Sequence, residues 1–335
     1  MEQEKLLHFS IVIAAKNESE NISRLFNSIR EIDYPKELFE AIIVDDNSSD
    51  NTFKEAEFHL DAQLNISVIK KVSGFLPGKK GALQSGIAAS SNPYILITDA
   101  DCSPQKDWLK SYAQKFTIGY DLLFGAAPFY KCENLISELS CFENLRSTLL
   151  SFTAAKLKIP YSAASRNFGF KKSAFEKIKG YLNTMETFSG DDDLLIREAV
   201  KNNLRIGIVS GRNSMVYSTA KKTLKEYLTQ KRRHTKTSFY YLPKHIVILS
   251  SWHLANLFFL ISPLLYFINP FFLLFFFAKL TADIFVVINT QHFLSYKFKF
   301  YKIFYLQVLY EIFIIINFFN ALFFKVKWKE DEHGR

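Results

Sequence analysis

Short apolar runs alternate with amphipathic stretches through the first third of the chain. FSIVIAA (9–15) is β-branched-rich and uncharged, the pattern of a buried strand. Beyond Lys16, Ile22, Leu25, Phe26 and Ile29 recur at helical spacing, with Asn17 or Ser19 placed to cap the helix. AIIV (41–44) predicts a second strand, ending at Asp45 and Asp46 before a turn rich in Asn and Ser and a helix over 52–59. ISVIK (66–70), YILIT (94–98) and DLLFGA (121–126) predict further strands, and GKKGALQSGIAAS (78–90) a helix. Strand and helix alternate with short connections, which predicts an α/β fold with a mostly parallel, Rossmann-like sheet. The region 127–220 is mixed: a loop, short strand and helix over 165–181, then a loop, helix and strand over 189–210.

From 221 the pattern changes. Residues 221–245 carry eight Lys or Arg against the single acid Glu226, with Leu224, Tyr227 and Leu228 as a narrow apolar stripe. The stretch 246–268 then runs 23 residues without a charged side chain. That suffices to cross about 30 Å of hydrocarbon at about 1.5 Å per residue. Segments 270–290, which holds Lys279 and Asp283, and 303–324, which holds Glu311, repeat the pattern. The expected organisation is an α/β domain over 1–220, a basic interfacial segment over 221–245, about three transmembrane helices over 246–325, and a polar tail over 326–335. The basic segment argues for a multi-pass membrane protein with a cytoplasmic large domain. Two crossings return Lys297, Lys299 and Lys302 to that side, whereas a third leaves Lys325, Lys327 and Lys329 outside. One segment lies in the interface, two form a re-entrant pair, or the charge rule fails.

Charge narrows the chemistry little. The net charge of +9 suits nucleic acid, anionic lipid or phosphorylated substrates alike. Cys102, Cys132 and Cys141 have no metal-ligand spacing and no even-numbered framework, which suits a reducing compartment. MEQEKLLHFS lacks the apolar core of a signal peptide.

In parallel sheets, ligands bind beyond the carboxyl ends of the strands. Polar chemistry gathers at three such ends: Lys16 to Glu18, Asp45 with Asp46, and Asp99 with Asp101. No GxGxxG or GxxxxGK[ST] occurs there, which disfavours a dinucleotide fold or a P-loop. In extended geometry residues i and i+2 face one side, so Asp99 and Asp101 face one ligand and Cys102 faces away. Such a carboxylate pair suits Mg2+ or Mn2+, whose shell is often completed by substrate phosphates. With Lys79 and Lys80 on a neighbouring connection, the rim describes a nucleoside-diphosphate pocket.

The ordered series IVIAAKNE, AIIVDDNSSDNT, GKKGALQSGIAAS, YILITDAD, SGDDDLL and QKRRH resembles the family 2 glycosyltransferases, inverting enzymes of GT-A fold, over roughly residues 8–240. The resemblance implies nucleotide contacts at Ala15, Asn17, Glu18, Asp45, Asp46, Lys79 and Asp99, and a Mg2+ or Mn2+ site at Asp99 and Asp101. It places the catalytic base at Asp192, preceded by Asp191, with a register uncertain by one residue among Asp191, Asp192 and Asp193. The QxxRW motif corresponds to Gln230, Arg232, Arg233 and His234, the last replacing tryptophan, which argues for single additions over processive synthesis. The implied partners are a UDP- or GDP-linked sugar, a lipid or glycan acceptor and membrane lipids, with no nucleic acid. A metal-dependent nucleotidyltransferase shares the acidic rim but needs neither the 191–193 acids nor QKRRH. A non-catalytic membrane scaffold would not keep the full set of rim acids.

Overall fold

The computed structural model describes residues 6–61, 63–130 and 133–324; the polar tail at 326–335 lies outside them. The described chain divides into two compact units, Met1–Pro128 with Ser151–Thr219, and Phe129–Leu150 with Ala220–Arg335.

In the first unit the apolar runs become the centre of a seven-stranded sheet. Strands β1 (Phe9–Ala15), β2 (Phe39–Asp45), β3 (Ile66–Lys70) and β4 (Tyr94–Asp99) pair in parallel, joined by α1 (Ser19–Arg30), α2 (Thr52–Phe58) and α3 (Gly78–Ala89). Phe9, Ile11, Val12 and Ile13 are buried on both faces, as helix-covered parallel strands require. Helix α1 buries Ile22, Leu25, Phe26 and Ile29, the periodic residues. Its N-cap is Glu18, with no side-chain cap bond, which corrects the expected cap at Asn17 or Ser19: those residues are used in loop-to-loop bonds instead. Helix α3 lies close on the sheet because residue 86 is glycine. A Cβ there would stand 2.4 Å from Val12 Cγ1 and 3.0 Å from Val44 Cγ2.

Past β4 come the short β5 (Ser103–Pro104), α4 (Trp108–Thr117), β6 (Leu122–Gly125), α5 (Leu135–Lys156), β7 (Phe168–Lys171), α6 (Lys172–Lys177), α7 (Asp193–Lys201), β8 (Ile206–Val209) and β9 (Val216–Tyr217). The sheet order is β3-β2-β1-β4-β7-β6-β8. Strand β7 inserts antiparallel between β4 and β6, while β6 and β8 pair in parallel. Buried Asn167 precedes β7 and accepts from Trp108 Nε1 (2.8 Å) and Tyr112 Oη (2.8 Å). Its amide donates to the carbonyls of Ala126 (2.7 Å) and Ser214 (3.2 Å). A buried amide so fully bonded fixes where the chain enters β7.

The second unit holds the opening turns of α5 with α8 (Leu224–Ser238), α9 (Pro243–Ile261), α10 (Phe271–Thr290) and α11 (Phe300–Phe323). Three helical spans, Pro243–Phe267, Phe271–Leu294 and Phe300–Phe323, are long and apolar enough to cross a membrane. They leave Leu264, Phe267, Phe271, Phe285 and Phe323 exposed. An apolar surface of that extent is rare in a soluble monomer. Charge is kept inside: Arg146 donates twice to Asp283 Oδ1 (3.1 Å each), Lys279 pairs with Asp283, and Gln307 donates to Asp283 (3.0 Å) and Glu311 (2.9 Å). The Lys279–Asp283 pair seen in the sequence is thus one corner of a cluster that ties α5, α10 and α11 together. Cys141 is disulfide-bonded, against the expectation of unpaired thiols, and Cys102 is buried and free.

Candidate active site

Register puts the first polar groups on one edge. Asp45 lies opposite Ala15, and Asp99 opposite Ala14, so three parallel strands end together. After β1 the chain turns through Asn17 at φ 55°, a left-handed conformation that asparagine tolerates. Its N–H donates to Ser48 Oγ (3.0 Å), its Oδ1 accepts from the Ser49 N–H (2.8 Å), and the Glu18 N–H donates to Thr52 Oγ1 (2.8 Å). The Asn- and Ser-rich turn therefore stitches the β1 and β2 connections together. The two acids ending β2 differ. Both oxygens of Asp45 accept from the Ser48 N–H (3.3 Å), whereas buried Asp46 is neutralised by Lys71, a partner that no spacing indicates.

Beyond Asp99 the backbone turns at once, the Cys102 N–H donating to the Asp99 carbonyl (3.1 Å). Strand alternation therefore ends there. Asp99, Asp101 and Cys102 each offer a ligand atom within 4.8 Å of the others, which corrects the placement of Cys102 on the opposite side. Its thiol hydrogen-bonds Asp101 Oδ1 (3.2 Å), and burial, then the charges of Asp101 and Asp99, push its pKa well up. Asp99 and Asp101 together offer two hard carboxylates, a donor pair that fits a small divalent cation, and an ammonium rests on Asp99. Arg24 of α1 secures the turn by donating to the Asp101 carbonyl (3.0 Å) and to Asn21 Oδ1 (2.7 Å).

That ammonium belongs to Lys79, in the first turn of α3 after Gly78 at φ 65°. Its Nζ lies 2.7 Å from Asp99 Oδ1, 2.8 Å from Asp191 Oδ2 and 3.1 Å from Ser165 Oγ. Burial alone would lower its pKa, but Asp191 and Asp99 outweigh it and hold the lysine charged. The adjacent Lys80 does different work. Its buried ammonium donates to the Thr184 carbonyl and to the Thr187 carbonyl (2.9 Å), pinning the segment that leads to the acids; burial pulls its pKa down to about 8 against the charges of Asp191, Glu186 and Asp192.

The three acids separate by partner. Asp191, after Gly190 at φ 78°, is buried against Lys79; burial raises its pKa, and Lys79 more than reverses that. Asp192 caps α7 through the Asp193 N–H (2.7 Å) and accepts from the Ser165 N–H (2.7 Å). Among the described residues no salt bridge to it is seen; burial, then Asp193 and Asp191, push its pKa well above the usual aspartate value. Asp193 accepts from the Ala163 N–H (3.0 Å). Beside them Tyr181 is fully buried, with a hydroxyl that has no hydrogen-bond partner among the described residues. Its burial, and then Asp191 and Asp192, keep it protonated.

Lys79, Asp99, Asp101, Asp191 and Asp192 are thus brought together within the first unit. Gln230, Arg232, Arg233 and His234 stand on α8 of the second unit, where Arg232 Nε donates to Asn320 Oδ1 (2.8 Å) and its guanidinium lies over Phe324. Ser165, Arg24, Lys71 and Tyr181 escape the sequence because their partners are distant along the chain and no motif marks them.

Residues 10–179 match the family model described as glycosyl transferase family 2. Over 121 residues the chain is 31% identical to glycosyltransferase AglE of Haloferax volcanii, spanning 36% of this chain and 39% of AglE. Over 285 residues it is 27% identical to the probable glycosyltransferase YdaM of Bacillus subtilis, spanning 83% of this chain and 66% of YdaM. The chain therefore spans less than two thirds of either relative. Among solved structures, the mannosyltransferase PcManGT of Pyrobaculum calidifontis, in complex with GDP-Man and Mn2+, is similar in fold, with a TM-score of 0.59 at 16% identity over 93% of this chain and 87% of that one.

Proposed function

The chain belongs to glycosyl transferase family 2, and from that premise we propose that it moves a sugar from a UDP- or GDP-linked donor to a lipid-linked or glycan acceptor, with inversion, at the cytoplasmic face of a membrane. Its first unit has the GT-A fold expected of the family. One observation carries the reading: Lys79 joins Asp99 to Asp191, with Asp192 next to it, from three segments far apart in sequence. A nucleotidyltransferase or an inert scaffold has no use for that third segment.

In this reading Asp45, with Ala15, Asn17 and Glu18, lines the nucleoside side, and Asp46 supports it through Lys71. Asp99 and Asp101 would hold Mg2+ or Mn2+, which supplies charge neutralisation for the departing diphosphate. Lys79 contributes a positive charge on the same side. Asp192 takes the proton of the acceptor hydroxyl, its proton affinity raised by burial and by Asp193 and Asp191. Asp191, held by Lys79, is the anchoring acid, and single displacement at the anomeric carbon inverts the configuration. The apolar helices keep the enzyme at the lipid surface, where Gln230, Arg232, Arg233 and His234 would serve the acceptor side.

The test is the reaction itself. Protein in lipid nanodiscs, given UDP- and GDP-sugars, Mn2+ and a membrane lipid extract, is expected to yield a glycosylated product of anomeric configuration opposite to the donor. A product of retained configuration would overturn the single-displacement mechanism.

A further inference from the structure

Asp99 has two claims on it. It is half of the carboxylate pair suited to a divalent cation, and its Oδ1 already holds the Lys79 ammonium at 2.7 Å. The same ammonium binds Asp191 Oδ2 at 2.8 Å and Ser165 Oγ at 3.1 Å, so three oxygens from three segments surround it. A divalent ion arriving alone at Asp99 and Asp101 would meet this resident positive charge on a shared carboxylate, at a partly buried site where like charges repel strongly. An anionic diphosphate removes the conflict, because it offers Lys79 a new partner while it brings the metal.

We infer that Lys79 is a resident cation that occupies Asp99 until the donor arrives, so that metal and nucleotide bind together and not metal first. The inference rests on the metal-dependent transfer reading and adds an order to it. No covalent step is involved: the ammonium passes from the Asp99 and Asp191 carboxylates to the diphosphate. Between turnovers it neutralises the buried Asp191 carboxylate and the half-buried Asp99 carboxylate, which would otherwise lack compensation. Gly78 at φ 65° lies one residue before it, where the backbone enters α3 in a conformation that favours glycine, and the Lys80 ammonium anchors the opposite wall through Thr184 and Thr187.

The experiment measures Mn2+ binding to the full chain in nanodiscs by calorimetry and by electron paramagnetic resonance, with and without UDP or GDP. In the unaltered protein, Mn2+ alone is expected to bind at least tenfold more weakly than with a nucleotide present. Lys79→Met is expected to bind Mn2+ alone at least tenfold tighter than the unaltered protein, to gain more in Tm from Mn2+, and to lose most of the nucleotide enhancement. Lys79→Gln, which keeps a hydrogen-bond donor between the carboxylates and so guards against misfolding, should show the same gain, and Lys79→Arg should not. Equal or weaker Mn2+ binding by both neutral variants, with nucleotide enhancement unchanged, would overturn the inference while leaving the transfer reading intact. Failure of the unaltered protein to bind Mn2+ even with nucleotide would overturn both.

Discussion

Asp192→Asn separates the three neighbouring acids most sharply. The substitution removes the acid whose pKa is raised, while Asp191 is held by Lys79. Loss of a positioned general base costs about 10²–10⁴ in rate, or about 2.7–5.4 kcal/mol at the transition state. The fold should lose far less. Asparagine caps helices about as well as aspartate, so the bond from the Asp193 N–H (2.7 Å) survives. The new amide then faces the Ser165 N–H, forfeiting a 2.7 Å bond to a charged acceptor worth about 1.5–3 kcal/mol. Removing a buried negative charge beside Asp191 and Asp193 offsets much of that, since both neighbours disfavour its ionisation. The expected result is a kcat at least about 100-fold lower, KM for the donor little changed, and a Tm within a few degrees of the parent. Asp191→Asn should instead act mainly on donor KM, because Asp191 positions Lys79, and Asp193→Asn should do least to kcat. Full kcat in Asp192→Asn, or a loss confined to KM, would refute the assignment of the base.

Further expectations follow from the same geometry. The acid limb of the kcat profile should lie above the ordinary aspartate pKa of about 3.9, because Asp192 must be ionised to act and its pKa is raised; activity is lost as pH falls through that raised value. Asp193→Asn removes one cause of the shift and should move the limb to lower pH, measured by pH–rate profiles; an upward move would contradict the argument. Asp283→Asn leaves Arg146 and Lys279 without their shared carboxylate, at a cost of about 3–5 kcal/mol, visible as a lower Tm in detergent; an unchanged Tm would mean the cluster is not structural. Gly86→Ala drives a methyl into Val12 and should cost about 1–3 kcal/mol by chemical denaturation of the first unit's signal, a null effect showing that α3 can lift from β1 freely.

The parallel core was legible because residues 9–15, 41–44 and 94–98 are uncharged runs that need cover on both faces, and the polar residues that follow them fall on one edge by register. The three apolar helices were legible from length alone. The short strand within 165–181 is legible and forms β7, but its place in the sheet is not: FGFK is four residues long, and its antiparallel insertion beside β4 goes with Asn167, whose partners lie 41 to 59 residues away. Asp99, Lys79 and the 191–193 acids could each be picked out, but their meeting could not, since Lys79 and Asp191 are joined only through the folded β4 and α7 ends. Local pattern also misjudged Cys102, because a turn follows Asp99 where strand alternation was assumed. Asp45 and Asp46 look equivalent in sequence and differ only once Lys71 is seen at Asp46.

The most direct test of the central claim, that these converging residues form a metal-dependent sugar-transfer site, is nucleotide release from a panel of UDP- and GDP-sugars. It compares the full chain with Asp99→Asn/Asp101→Asn, in Mn2+ and in EDTA. The account predicts release from at least one donor by the unaltered chain in Mn2+, and none by the double variant or in EDTA. Turnover of no donor, or equal turnover by the double variant, would contradict it.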